Sequence, residues 1–432
     1  MNVLNKSLLM AAVALSATTT LTSCLFEDDD KFDESAALRI EHFNEEVQEL
    51  LVSAPNGWVM QYFANPDSKG YNLFCRFDES GTVTFASNHE YLRNGNAGKY
   101  TEATSLYELL KEDGPVLSFN SWNDVFSIFT DPVDPTSGEK DGVGLGGDQN
   151  YVILSASTYE IRLRGERQSG EVRMFPASKD WQEYLADAAQ TGSDIFNSSI
   201  SNFYVVGGAD TLYASNFSSG LMLVGERIVD PIVTSVVPFV LTDQGIRLQF
   251  ETEFNHIKAT EFFVSSDSTC LTSEDDAVRL IPMWDAYVAS HSDVWQMDTT
   301  YFSADQKALY QQLAADISSI NAAWELQYIG VGVDSRNTYL LMGVQMGKSF
   351  IKAGCVLNAT CPAYGEVSYT ADTDDTNSNL NNLARRNDEI QTLFTAFAES
   401  INGTYTVVPN NYFLPTGAIF TPKQGGTAIK FQ

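Results

Sequence analysis

The sequence predicts an α+β protein of β-rich antiparallel sheets with a few amphipathic helices, divided into two or three domains. Three observations carry that expectation. Short segments in which aromatic and β-branched residues alternate with polar ones recur along the chain between Gly-, Asp- and Asn-rich turns, the pattern of half-buried strands. Stretches with apolar residues at helical spacing are few and short. The 432 residues, 44 % hydrophobic and 12 % aromatic, suffice for more than one packed core and exclude wholesale disorder.

The first element lies outside the fold. Lys6 precedes the apolar stretch Leu8 to Ala17, and Thr18 to Thr20 lead into Leu21-Thr22-Ser23-Cys24. A positive residue, a short apolar run and a small-residue cleavage site describe a secretory signal over residues 1–23, too short to span a bilayer permanently. A Leu three positions before a Cys, with small residues between, resembles the lipobox of bacterial lipoproteins. That resemblance implies lipidation at Cys24 and a membrane partner reached through the lipid. Residues 24–34 then read as an acidic tether, built around Glu27-Asp28-Asp29-Asp30-Lys31. The acidic run resembles the surface-export signal of Bacteroidetes lipoproteins, so the expected location is the outer membrane, lipid-anchored and facing outward. A solvated linker is the alternative, since like charges keep a chain extended.

The folded part opens with an N-terminal α+β domain over 35–195. Ile40, Phe43, Val47, Leu50 and Leu51 recur at helical spacing, with Asp33 or Ser35 as cap and Pro55 and Gly57 as the stop. Alternation then predicts strands through Trp58, Met60 and Tyr62, and through Tyr71, Leu73, Cys75 and Phe77. The turn Asp78-Glu79-Ser80-Gly81 leads into Thr82–Phe85. Further strands are expected at Pro115–Phe119, Val125–Phe129, Tyr151–Ser155, Tyr159–Arg164 and Glu171–Phe175. A helix from Lys179 to Ala189, starting at Ser178, closes this domain.

A β-rich middle region covers 200–300, its best hairpin being Val236–Leu241, the turn Thr242-Asp243-Gln244-Gly245, and Ile246–Phe250. A C-terminal α+β region covers 301–432, with 200–432 as one domain the alternative. It carries a helix from Ala304 to Ile320 capped by Ser303, a polar loop Asp372–Asn382 and a helix Asp388–Ser400. The helix–Trp-x-x-Gln-Tyr sequence occurs twice, at Trp58–Tyr62 and Trp324–Tyr328, which suggests a unit used twice.

Several short motifs accompany the lipobox and tether: Phe32-Asp33-Glu34-Ser35-Ala36, Asn56-Gly57-Trp58, Tyr71-Asn72-Leu73-Phe74 and Gly146-Gly147-Asp148. Together they resemble the Bacteroidetes lipoprotein family known as domain of unknown function 4302. The resemblance implies an outer-membrane-associated protein beside a nutrient-uptake complex, and it brings no catalytic residues.

The formal net charge of −30 argues against nucleic acid or an anionic lipid surface as partner. His42, His89, His256 and His291 are widely separated, and neither His-Glu-x-x-His nor Gly-x-Ser-x-Gly occurs, so no catalytic residue is named. Calcium is the one candidate cofactor. Asp131, Asp134, Glu139, Asp141 and Asp148 lie in a Gly- and Pro-rich loop, and hard oxygen ligands on flexible backbone suit that ion. A second run, Asp372, Asp374, Asp375 and Asn377, starts like a calcium loop but lacks its Gly and closing Glu. Solvated acidic loops are the alternative for both.

Trp284, Tyr287 and Trp295, with Tyr301 beyond, form an aromatic cluster that could stack on sugar rings or bind peptide, against the alternative of a core. Trp122 shares that ambiguity. Among Cys75, Cys270, Cys355 and Cys361, the pair Cys355 and Cys361 is the candidate disulfide, and Cys75 reads as a buried thiol. The expected function is a non-enzymatic surface lipoprotein that binds or presents a glycan or protein ligand for an uptake or adhesion system. A structural accessory of an outer-membrane complex is the alternative, and a hydrolase with a site assembled across the fold comes third.

Overall fold

The computed structural model describes residues 35–112, 114–140, 142–197, 200–208, 211–226, 233–289, 294–334 and 337–432. The signal, Cys24, the acidic tether, Asp33, Asp141 and His291 lie outside them. The chain is β-rich and antiparallel throughout, with few helices, as its alternation predicts.

Helix α1, Ala36–Ser53, begins where the Ser35 hydroxyl accepts the Leu38 N–H at 3.3 Å. Val47 and Leu51 of α1 pack on a nine-stranded antiparallel sheet spanning Trp58 to Pro176. Two-residue alternation assigns its faces. Trp58, Met60, Tyr62, Leu73 and Cys75 join α1, while Val59 and Phe74 meet Trp181, Tyr184 and Leu185 of helix α2, Trp181–Ile195. Helix α2 starts later than expected from Ser178, because the Asp180 carboxylate accepts the N–H groups of Gln182 and Glu183.

Strands Thr101–Leu106 and Glu108–Lys111 occupy opposite edges of this sheet, yet Tyr107 alone separates them in sequence. The sheet must therefore curl until its edges meet. Tyr107 is buried at that corner, its hydroxyl donating to the Asp78 carbonyl at 3.2 Å. The expected strand Val125–Phe129 is instead coiled and ends in a 3-10 turn. The Asn123 side-chain oxygen takes the N–H groups of Val125 and Phe126 at 3.0 and 3.1 Å, which winds the run. Phe126 and Phe129 are fully buried, so the apolar run belongs to the core without being a strand.

Eight strands from Phe203–Val206 to Arg279–Pro282 form a closed barrel, the first pairing with the last at Phe203 and Pro282. The hairpin Val233–Leu241 and Gly245–Phe254 is the one its turn predicts. Phe203, Met222, Phe239, Leu248, Phe262 and Leu280 fill the interior.

The last sheet runs in chain order through eight strands from Trp295–Gln296 to Ile429–Phe431. A bridge between Met297 and Phe431 brings its ends together. Helices α3 (Trp284–Ala289), α4 (Ala304–Ile320), α5 (Ser378–Ala384) and α6 (Glu389–Glu399) contribute to the core on its apolar face, which carries Ile329, Leu340, Met342 and Cys355. Helix α4 has the expected cap, a reciprocal Ser303–Gln306 capping box. The expected loop Asp372–Asn382 is mostly ordered structure: strand Glu366–Thr376 continues through it, and Asn377 caps α5. Its polarity follows from position, since only Val367 and Tyr369 of that strand are buried.

The two Trp-x-x-Gln-Tyr copies share their order of elements and differ in packing. Trp58 is buried and its indole N–H donates to Leu51 carbonyl at 2.9 Å. Trp324 is half-buried beneath the Arg386 guanidinium, and a bulge between Leu326 and Tyr328 leaves Tyr328 outside the core. No helix among the described residues is long and apolar enough to cross a membrane.

Candidate functional site

The end of α2, the barrel and the C-terminal unit meet around the segment 410–417. Asn411 accepts the N–H groups of Phe413 and Leu414 at 2.8 and 3.0 Å, and Asn410 accepts those of Thr416 and Gly417 at 3.0 and 3.2 Å. These bonds present Phe413 to the barrel, whose apolar cluster it joins at 5 % exposure. The Asn197 amide, just past α2, donates to the Phe413 carbonyl at 2.7 Å.

Beside this contact lies a cavity of about 500 Å³. Its walls are the end of α2 (Thr191, Asp194, Ile195), a barrel turn (Val264, Asp267, Ser268) and residues 410–414. The turn is tight, with Ser268 in the left-handed region at φ 55°. Hydroxyls from Ser265 and Thr269 hold the Asp267 carboxyl below its ordinary range. Among the described residues the lining combines carboxylate, amide and hydroxyl groups with Tyr412 and Leu414 and contains no Lys or Arg. Such a wall suits a neutral or cationic ligand rich in hydrogen-bond donors.

The candidate stacking residues are placed differently from that expectation. Trp284 and Trp295 are 2 % and 5 % exposed, and Tyr287 is half-buried beside Trp295 at 6.2 Å. The Trp284 indole donates to the Tyr364 hydroxyl at 2.6 Å and meets Tyr412 edge-on. Trp284 and Trp295 lie in the C-terminal core with Tyr287 packed half-buried against it, so neither indole presents a face to a sugar. The cause is secondary structure: Trp284 opens α3 on the core side, and Trp295 pairs with Val331 as a strand. Trp122 is the exposed one, at 53 %, its indole donating to Asp124 at 2.7 Å and the Arg93 guanidinium 5.4 Å above its ring.

Three carboxylates of the candidate calcium loop, those of Asp131, Asp134 and Asp148, have local partners. Asp131 meets Arg93 at 2.6 Å and the Val133 N–H at 3.0 Å; against the opposing effect of burial, these hold its carboxyl low. Asp134 takes the Thr136 N–H and the Ser137 hydroxyl. Glu139 is exposed. Asp148 is buried, which raises its carboxyl, and it accepts the N–H groups of Arg167 and Gln168 across a strand turn. In the second acidic run, Asp372 accepts from Asp374 and Asp375 N–H groups. No cluster of three or more His, Cys, Asp or Glu side chains that could hold a metal ion occurs among the described residues.

The candidate disulfide is corrected. Cys355 is buried within strand Ser349–Thr360, Cys361 is exposed just past its end, and both are free, as are the buried Cys75 and Cys270. Six residues of extended strand span about 20 Å, whereas bridged Cα atoms lie within about 7 Å. Extended conformation, not the number of intervening residues, decides that separation.

His89 is buried with both ring nitrogens engaged, Nε2 at 2.9 Å from the Val125 carbonyl and Nδ1 accepting the Tyr91 N–H at 3.2 Å. Burial lowers its pKa, so the ring is neutral and structural. His256 is an exposed turn residue 3.1 Å from Glu253, and His42 is exposed on α1.

Two features escaped the sequence reading. Asp285 on α3 is 1 % exposed, its Oδ1 accepting the Ala286 N–H while Oδ2 is buried without a hydrogen-bond partner. A second cavity, of about 270 Å³, lies between the curled sheet and the barrel beside the Lys69–Glu90 ion pair. Its lining comes from five separated segments, so no local motif announces it.

A family profile with the description "Domain of unknown function (DUF4302)" matches residues 28–265. That span holds the curled sheet and the barrel up to its last two strands, Leu271–Ser273 and Arg279–Pro282. No curated protein matches the chain. Among solved structures, DNA polymerase III subunit beta from Borrelia burgdorferi, in complex with a natural product, aligns with 90 % of this chain and 96 % of its own at 10 % identity. Its TM-score of 0.10 carries no argument about fold or function.

Proposed function

The chain belongs to the family described as Domain of unknown function (DUF4302), and we propose that it is a lipid-anchored surface protein that binds or presents an extracellular ligand, glycan or protein, for an uptake or adhesion system. The cavity of about 500 Å³ where the three units meet carries this reading. Ligand sites favour domain junctions and occupy roughly 300–1,000 Å³. Among the described residues the lining offers hydrogen-bonding groups around apolar side chains and contains no histidine. The Leu21-Thr22-Ser23-Cys24 motif and the acidic run after it support the address.

Two experiments test the proposal. Mass spectrometry of the protein from cell envelopes is expected to find an acylated amino-terminal Cys24, and Cys24→Ser to release the chain from the membrane. The Cys24→Ser protein is then applied to arrays of glycans and extracellular glycoproteins. A saturable hit weakened by Asp194→Lys and by Leu414→Ala, both exposed residues of the lining, is the expected result. Hits indifferent to both substitutions would remove the cavity from the proposal.

A further inference from the structure

The smaller cavity, of about 270 Å³, has a chemistry of its own. On one wall stand Lys69 and Glu90, paired at 2.6 Å, with side chains 37 % and 48 % exposed. Tyr71 lies beneath them, its ring 5.2 Å from the Lys69 ammonium and its hydroxyl donating to Glu90 at 3.3 Å. Asn72 faces the same space. Its amide nitrogen donates to the Leu241 carbonyl at 2.7 Å, while its Oδ1 is buried without a hydrogen-bond partner. Phe217 and Val240 of the barrel supply apolar lining.

The walls are held in place before any ligand arrives. A Cβ at Gly70 would stand 2.5 Å from Val240 Cβ, and one at Gly220 would stand 2.6 Å from Lys69 Cβ. The sheet and barrel backbones therefore approach as closely as side chains permit. Asn72 is fixed by its bond across the same boundary, which ties the sheet wall to the barrel wall.

We propose that this cavity binds a free α-amino acid with an apolar side chain, its carboxylate taken by Lys69, its ammonium by Glu90, and its side chain by the barrel wall. The charges select the class. Lys69 and Glu90 cancel, and His89 beside them is neutral with both nitrogens engaged, so a ligand of net charge finds no compensation. A zwitterion exchanges one ion pair for two, and both side chains are exposed enough to swing apart. A volume just below the range of about 300–1,000 Å³ for drug-sized ligands limits the occupant to a small molecule. This site is apart from the junction cavity, so either proposal can fail alone.

The test is saturation-transfer NMR and calorimetry of the Cys24→Ser protein with L-leucine and L-phenylalanine. N-acetyl-leucine, leucine amide and methyl glucoside serve as controls. Leucine or phenylalanine is expected to bind saturably, and the acetylated and amidated forms, each lacking one charge, at least about tenfold more weakly. Lys69→Met and Glu90→Gln are expected to weaken binding by a similar factor. Ala189→Trp, on the exposed side of α2 at the cavity mouth, is expected to abolish it with the melting temperature unchanged. No saturable binding at millimolar amino acid, equal binding of the acetylated form, binding of the glucoside instead, or indifference to all three substitutions would overturn the proposal.

Discussion

The ring of Phe413, from the C-terminal unit, lies 6.4 Å from that of Phe203 in the first strand of the barrel. A side chain of one unit thereby completes the apolar interior of another, with the Asn197 amide fixing the Phe413 carbonyl at 2.7 Å. Phe413→Ala removes a buried ring and is expected to cost about 3–5 kcal/mol. The midpoint of denaturant unfolding should fall accordingly, and limited proteolysis should release the C-terminal unit early. A variant with an unchanged midpoint would show that the contact is incidental.

Trp284 tests the core assignment of the aromatic cluster. Its indole is 2 % exposed and bonded to Tyr364, so Trp284→Ala is expected to destabilise by about 3–5 kcal/mol. Trp122→Ala, at a ring 53 % exposed, should stay within about 1 kcal/mol of the parent. Chemical denaturation of both variants makes the comparison. The reverse order would return the cluster to the surface.

Asp285 makes stability depend on pH in a defined direction. Burial raises its carboxyl above the ordinary 3.8, although the Ala286 N–H on Oδ1 opposes the rise. Between 3.8 and the raised value the folded chain holds a proton that the unfolded chain has lost. Stability from this group is therefore present below 3.8 and declines as pH rises through the raised value. Asp285→Asn keeps the Oδ1 acceptor and removes the titration. Its stability relative to the parent should increase as pH rises through that window and level off above it. A difference that does not vary with pH would mean that Asp285 is charged in the fold without penalty.

Much of this architecture is legible where one face of an element is buried. Trp58, Met60 and Tyr62 alternate because one side of their strand faces α1, and Ser303 with Gln306 marks the start of α4 by chemistry alone. Edge strands are another matter: Thr101–Leu106 carries one buried residue, Ser105, and has no apolar period to read. Periodicity also misleads where burial comes without extension, as at Phe126 and Phe129. The two cavities were illegible for a different reason. Lys69 and Phe217, or Asp194 and Leu414, come together only through the packing of separate units.

The four free cysteines yield a labelling experiment that bears on both fold and export. An oxidising compartment favours disulfides, yet bonding requires sulfurs that can meet, and strand Ser349–Thr360 holds Cys355 in the core while carrying Cys361 out to solvent. Burial pushes the Cys355 thiol up to about 12, with Asp372 adding to the effect, and burial raises the Cys75 thiol as well. Thiolate is the reactive form, so both should resist alkylation in the folded protein. Partial burial and the nearby Asp285 raise the Cys361 thiol as well, to about 11, so exposure decides the order: Cys361 alone is expected to react, slowly, under native conditions, and Cys75, Cys270 and Cys355 only as denaturant unfolds the chain. Non-reducing peptide mapping should find no link between Cys355 and Cys361. A bridged peptide from protein isolated without reductant would require the end of that strand to fold back, and the register of the C-terminal sheet would then be wrong.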